Sequence, residues 1–359
     1  MSLKKGLTFF LLLALAVCGA ILFFSIDRAS LEIFKQANRF RLYLAFMFVT
    51  CVWMLDALKI YLLTRAAGGR LSWKLSLELT WINYFGAAIT PMQSGGGPFQ
   101  MYIMYRSGIS VGQSVAITII RTVLVMLMLG AMIPFTALVE GDLPKFGWGA
   151  RGFVFYVVIF IMVIWTALIV SIVKPVWVKR AAARIITLLR RVGILKEKWE
   201  KKLLKFVLKE IDVYNENLRA FLTTGRKPFI AAAVVAFFQL LSQLSVMPCM
   251  IWALGFPVKY YQCVLVQSVF LFLLYFIPTP GGSGAAEGGA ALVFSMFVPW
   301  NVAGMLGIGW RALTEYTGII LGSVVAVRRI GWKLANELLT VEPARETDET
   351  DSKGDAGGS

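Results

Sequence analysis

The sequence contains no histidine. That absence removes imidazole general bases, imidazole metal ligands and imidazole pH switches from the available chemistry. Charge is also scarce. Asp, Glu, Lys and Arg make up 16% of the 359 residues, against about 25% in an average soluble domain. Cysteine is confined to Cys18, Cys51, Cys249 and Cys263, each alone in an apolar stretch and with no C-x-x-C pair. Small apolar packing is their expected role, and no metal, haem or iron–sulfur cofactor is expected.

What is abundant is apolar surface, at 58% of the residues. Several apolar runs reach about 20 residues, the length that crosses roughly 30 Å of hydrocarbon. The fold class is therefore an all-α, polytopic membrane bundle. Full crossings are expected at about 6–24, 42–63, 113–138, 153–173, 228–254 and 301–327. The first follows Lys4 and Lys5 and is too long, with no small-x-small site after it, to read as a cleaved signal peptide. Two further apolar segments, 77–106 and 260–297, are interrupted by glycine and proline.

The net charge is +16. In a soluble protein that would suggest nucleic acid; here the excess lies in loops, and the positive-inside rule accounts for it. No nucleic-acid partner is expected. The segment 174–227 holds 15 Lys/Arg against five acids, which places it and both termini on the cytoplasmic side of a bacterial or archaeal inner membrane. Arg28, Lys35, Arg39 and Arg41 then fall in an outside loop, against the trend. Within 174–227, Trp199, Leu203, Val207, Ile211, Tyr214, Leu218 and Phe221 recur at helical spacing. This basic amphipathic segment either rests on an anionic lipid surface or packs on the transmembrane core. The chain thus divides into a first transmembrane half (1–173), the basic segment (174–227), a second transmembrane half (228–333) and a polar, largely disordered tail (334–359).

A short repeat joins the halves. Thr90-Pro91-Met92-Gln93-Ser94-Gly95 recurs as Thr279-Pro280-Gly281-Gly282-Ser283-Gly284. Each follows an aromatic run, and each precedes a span with one arginine, Arg121 or Arg311. Proline and glycine break a helix, and broken backbone within lipid is tolerated only when buried in protein or lining a watery cavity. The expectation is two re-entrant helical hairpins, 77–106 and 260–297, entering from opposite sides as an inverted repeat. The alternative is a pair of full spans kinked at each break.

The tips carry the candidate site. Gln93, Ser94, Gly95, Gly96 and Gly97 form one, and Gly281, Gly282, Ser283, Gly284 and Glu287 the other. Glycines at a half-helix N-terminus let a headgroup approach free backbone N–H groups. Arg121 and Arg311 lie inside apolar spans, where a charge costs at least about 2.5–3.5 kcal/mol and is a functional-site hypothesis by default. Two carboxylates, Glu287 and Glu315, are candidate partners, and Arg311 with Glu315 suits an i,i+4 ion pair. Arg311 either pairs with Glu315 or Glu287 to hold the bundle, binds a headgroup phosphate, or snorkels to the interface. Glu287 is read as a cap on its own helix or as a proton-coupling group.

These residues resemble a known family. Pro278-Thr279-Pro280-Gly281-Gly282-Ser283-Gly284-Ala285-Ala286-Glu287-Gly288 is similar to the P-x-P-G-G-x-G-x-x-E-G signature of the lysylphosphatidylglycerol synthase/flippase transmembrane region. Arg311-Ala312-Leu313-Thr314-Glu315-Tyr316, with Gly322 beyond it, resembles the family's R-x-L-T-x-aromatic segment. The resemblance covers about residues 7–333. The family's Gly-Glu pair after the first proline is here Gly97-Pro98-Phe99-Gln100, without charge, and the acid before the first-half arginine is Ile120.

The resemblance implies a flippase-like, non-enzymatic integral membrane protein, a stand-alone form without the synthase domain. Its partner would be a membrane phospholipid or lipid-linked headgroup; self-association is left open. Two rivals remain at this stage: a membrane enzyme or accessory subunit acting on a lipid-linked phosphate, and a scaffold that recruits a partner through the basic loop.

Overall fold

The computed structural model describes residues 28–139 and 223–331 continuously, with isolated helical positions between 8 and 19 and between 159 and 221. The expected spans at 6–24 and 153–173 are described only at isolated positions, and most of the basic segment and the tail at 334–359 lie outside the described residues. Among the described residues the fold is all-helical. Three of the described helices are long and apolar enough to cross a membrane: Arg39–Ala66, Val111–Met132 and Arg226–Ala253.

The helices are α1 (Arg28–Lys35), α2 (Arg39–Ala66), α3 (Trp73–Ala88), α4 (Gly96–Arg106), α5 (Val111–Val139), α6 (Arg226–Ala253), α7 (Tyr260–Leu274), α8 (Ala285–Ser295), α9 (Trp300–Arg311) and α10 (Thr317–Arg329). A π-helical turn, Ala312–Tyr316, joins α9 to α10 without interrupting the run. Local sequence explains several boundaries. The side chains of Asn38 and Ser72 accept backbone N–H groups at the starts of α2 and α3, satisfying donors the helix cannot. Gly255 and Gly108, both with positive φ, follow the ends of α6 and α4, where glycine carries no Cβ penalty.

The two halves match element by element. α2 and α6 have 28 residues each, α3 and α7 have 16 and 15, and α4 and α8 have 11 each. The last elements are 29 residues for α5, and runs of 12, 5 and 13 for α9, the π turn and α10. The six-residue repeat in the sequence is the visible part of a duplicated architecture.

α2 and α6 pack antiparallel along their whole length. At one end Asn38 N–H donates to Ala253 O (2.8 Å), and Arg41 donates to Trp252 O (2.9 Å) while lying 4.0 Å over its ring. At the other end Gly225 touches Ala66 so closely that a Cβ would sit 2.1 Å from its carbonyl oxygen. The Trp252 contact accounts for Arg41, one of the basic residues that ran against the charge trend.

α3 and α4 fold back on each other as an antiparallel hairpin. Gln100 Nε2 donates to Leu79 O (2.7 Å), Gly96 abuts Asn83, and Phe85 meets Phe99 edge-on at 5.9 Å. α7 and α8 do the same, with Gly289 against Phe270. Because α2 and α6 run in opposite directions, the hairpins approach from opposite ends of that pair. Each hairpin then packs on the other half. α3 lies along α10, where Gly318 meets Tyr84, Gly322 meets Trp81, and Arg329 pairs with Glu78 (2.7 Å). α7 lies along α5, with Ser268 Oγ donating to Met132 Sδ (3.3 Å). Small residues at these crossings let backbones approach where lipid offers no hydrophobic drive.

Candidate functional site

The two T-P-x-x-S-G segments meet. Pro91 and Pro280 form an isolated antiparallel β-bridge, and Gly281 N–H donates to Thr90 O (3.3 Å). Their backbones correspond. Met92 and Gln93 both take φ 54°, and Gly281 and Gly282 take φ 60° and 68°. The left-handed pair that glycine supplies freely in the second tip is imposed on two ordinary residues in the first. Thr90 helps to hold it: its Oγ1 donates to Gly86 O (2.8 Å) and accepts Gly95 N–H (2.7 Å). In the second tip, Thr279 Oγ1 donates to Ser283 O (3.0 Å).

The expected tip residues fall into two groups. Gly95 and Gly96 are buried against α3, and a Cβ on Gly96 would lie 2.3 Å from Asn83 Oδ1. Gly97 packs beside Thr118. These three glycines serve close helix packing. Ser94 is exposed and donates to Pro91 O (2.9 Å). The amide of Gln93 reaches over Gly282, so it belongs to the contact between tips. Gly281, Gly282 and Ser283 are buried. Gly284 N–H donates to Glu287 Oε2 (2.7 Å), so Glu287 occupies the start of α8 that the sequence reading offered to a headgroup.

Arg311 is buried in this second tip. Its Nη2 donates to Gly281 O, its Nε lies 3.5 Å from Glu287 Oε1, and its Nη1 lies 3.9 Å from Glu315 Oε1. Glu287 is the nearer carboxylate; the i,i+4 pair with Glu315 is the looser contact. Glu287 Oε1 also accepts the Tyr316 hydroxyl (2.8 Å). The π turn lies immediately after Arg311 and carries Glu315 and Tyr316. Such turns frequently mark functional sites, and nothing in the composition of Ala312-Leu313-Thr314-Glu315-Tyr316 announces one.

Arg121 has a different environment. Its guanidinium grips Asp56 with two bonds, Nε to Oδ1 (3.1 Å) and Nη2 to Oδ2 (2.6 Å). Lys59 sits 2.9 Å from the same carboxylate and donates to Gln239 Oε1 (2.6 Å). Gln100 Oε1 lies 3.5 Å from Arg121 Nη1. The sequence reading named Glu287 and Glu315 and missed Asp56 and Lys59, both buried in α2. The signal was present, since two charges within an apolar span are a functional hypothesis. At an i,i+3 spacing they neutralise each other and vanish into the hydropathy of α2.

Tyr84 and Tyr275 link the two clusters. Each lies within electrostatic reach of Asp56, Arg121 and Glu315. The paired tips, the Asp56–Lys59–Arg121 cluster and the Arg311–Glu287–Glu315 cluster thus form one polar region inside an apolar bundle.

The sequence is matched among known proteins. Residues 11–322 match the family described as the lysylphosphatidylglycerol synthase TM region. The chain belongs to that family. A UPF0104 membrane protein from Archaeoglobus fulgidus is 26% identical over 314 residues, spanning 88% of this chain and 94% of the relative. The family match contains both tips, both arginines, Asp56 and Lys59. It identifies an integral membrane protein and ends at Gly322, the glycine that seats α10 on α3.

Proposed function

We propose that the protein moves a phosphate-bearing lipid headgroup between membrane leaflets. The observation that carries this reading is the pairing of the broken tips at Pro91 and Pro280 beside two buried charge clusters. α4 and α8 have 11 residues each. At 1.5 Å per residue they span roughly 16 Å, about half a hydrocarbon core. They act as the return arms of re-entrant hairpins, and the tips sit near the midplane, where broken backbone needs protein or water around it. Paired broken helices at such a depth are the binding arrangement of inverted-repeat transporters.

In this reading the headgroup enters from one side while the acyl chains stay in lipid. Arg121, with Lys59 behind it, attracts the phosphate; Arg311 braces the second tip. The tips separate and the repeats rock to expose the region to the other leaflet. The basic segment 174–227 and both termini lie on the cytoplasmic side of the cell membrane. Family membership and the duplicated architecture support this reading, and no catalytic step is assigned.

The test is lipid movement in liposomes holding the purified protein and fluorescent anionic, zwitterionic or aminoacylated lipids. Movement by the wild type that Arg311→Ala removes, with the variant still monodisperse, is the expected result. A folded wild type that moves none of these lipids would refute the proposal.

A further inference from the structure

The charges of the site are unevenly divided. Asp56, Lys59 and Arg121 carry one excess positive charge; Arg311, Glu287 and Glu315 carry one excess negative charge when all are ionised. Together the six are neutral. Uncompensated charge in an apolar interior is costly, so an anionic headgroup entering this region demands a compensating cation. We propose that Glu315 supplies the compensation by taking up a proton, so that the anionic headgroup and a proton are carried together. This inference rests on the lipid-translocation reading above.

Glu315 is singled out by its contacts. Glu287 has both oxygens occupied by donors, Gly284 N–H and the Tyr316 hydroxyl, and is sealed from solvent. Asp56 likewise has both oxygens engaged, by Arg121 and Lys59. Glu315 meets Arg311 only at 3.9 Å, beyond hydrogen-bond distance, and its side chain is 24% exposed where those of Arg311 and Glu287 are 1% and 0%. It is the carboxylate that a proton can reach.

A second observation comes from Arg311. Its Nε and Nη1 are buried with no hydrogen-bond acceptor among the described residues. These are the atoms nearest to Glu287 and Glu315. The guanidinium therefore keeps spare donors on its carboxylate side, so its grip on Glu315 can tighten or slacken as that group changes charge. Ser283 Oγ, in the same tip, is also buried without a partner. The other groups around Glu315 are Tyr316 on its own helix with Cys18 beyond it, Glu287 on α8, Tyr84 on α3, and Tyr275 after α7. Asp56 and Arg121 lie across the two tyrosines. Tyrosine and arginine do not exchange protons near neutral pH, and the Lys59 ammonium is fully buried and held by Asp56 and Gln239, which leaves Glu315 as the carrier.

The sign of the coupling follows. The neutral site gains one negative charge from a phosphodiester and returns to neutrality when Glu315 is protonated. By reciprocity, the anion strengthens proton binding and the proton strengthens anion binding by the same factor. Anionic lipid binds more tightly as pH falls, by up to about tenfold per pH unit where Glu315 titrates.

The measurement uses the full chain in detergent, in weakly buffered solution with a pH indicator, titrated with short-chain phosphatidylglycerol. Lipid movement is followed in parallel in phosphatidylcholine vesicles carrying fluorescent phosphatidylglycerol. Wild type should take up a proton as lipid binds. Glu315→Gln should bind without uptake and with pH-independent affinity, and Glu315→Asp should retain the uptake, which a merely structural role would not predict. Inorganic phosphate alone should produce no uptake; the same uptake from phosphate and none from lipid would overturn a lipid ligand. Binding and movement of lipid with no proton uptake, or uptake unchanged in Glu315→Gln, would overturn the proton coupling and leave translocation standing. No binding and no movement of any lipid would remove the translocation reading and this inference with it.

Discussion

Gln93 and Gly282 occupy the same left-handed turn, at φ 54° and 68°, in two tips that touch, with the Gln93 amide lying over the Gly282 backbone. Glycine adopts that conformation freely; a residue with a Cβ does so at a cost of roughly 1–2 kcal/mol. One tip of the duplicated architecture is relaxed and the other is strained. Strain of this kind persists where the surroundings enforce it and clusters at ligand clamps and switch regions. The strained tip is also the more open one, with Pro91, Met92 and Ser94 exposed while Pro280, Gly281, Gly282 and Ser283 are buried.

Gln93→Gly and Met92→Gly should leave thermal stability in detergent unchanged or raise it by up to about 1 kcal/mol, since relief of the turn outweighs the added chain entropy. Gly281→Ala should lower it by about 1–2 kcal/mol. Melting curves of the three variants check this; a fall for Gln93→Gly as large as that for Gly281→Ala would refute the strain.

Asp56→Asn should be the most damaging single change in α2. It leaves Lys59 and Arg121 as two buried cations without an anion, a loss of about 3–5 kcal/mol. Lys59→Met should cost less, about 1–2 kcal/mol, because the two-bond Asp56–Arg121 pair survives and still compensates Asp56, while Asp56 and Gln239 each lose the Lys59 donor. Thermal unfolding of both variants, read side by side, tests the ranking.

An antiparallel bridge holds opposed Cα atoms about 4.5–5.5 Å apart, within reach of a disulfide. With the four native cysteines replaced, Pro91→Cys combined with Pro280→Cys should cross-link under oxidation. The oxidised protein should stop moving lipid and recover on reduction. Wild-type movement by the fully cross-linked protein would show that the tips need not part.

Gly322→Ala would place a methyl group 2.1 Å from Trp81 O and 2.9 Å from Phe85 Cβ. Helix α10 must then lift from α3, at a cost of about 1–3 kcal/mol. Gly288→Ala, with nothing within 4 Å, should be silent. Equal melting temperatures for the two would contradict the packing described.

The long apolar helices were legible in the sequence because period and length report burial directly. The expected spans at 42–63, 113–138 and 228–254 correspond to Arg39–Ala66, Val111–Val139 and Arg226–Ala253. The repeat was legible because Pro and Gly punctuate both tips alike. Asp56 and Lys59 were not, because their significance lies in Arg121 and Gln239, 65 and 180 residues away in sequence. The π turn was not, because it depends on how α9 is seated rather than on its composition. The Glu78–Arg329 pair was hidden by the length of chain between its members. Of the amphipathic stripe, Phe221 is buried 5.7 Å from Phe229; the rest lies outside the described residues.

The exchange of hairpins between halves has a consequence for how the chain is made. Synthesis delivers α3 and α4 long before α10, the helix on which α3 rests, and α2 long before its antiparallel companion α6. The first half therefore waits in the bilayer with Gly318 and Gly322 still to come and with Lys59 lacking Gln239. Asp56 and Arg121, which lie within that half, can join first and hold the early helices together. The two broken tips can pair only once Pro280 and Gly281 have been made, so the joining of the halves comes late in assembly.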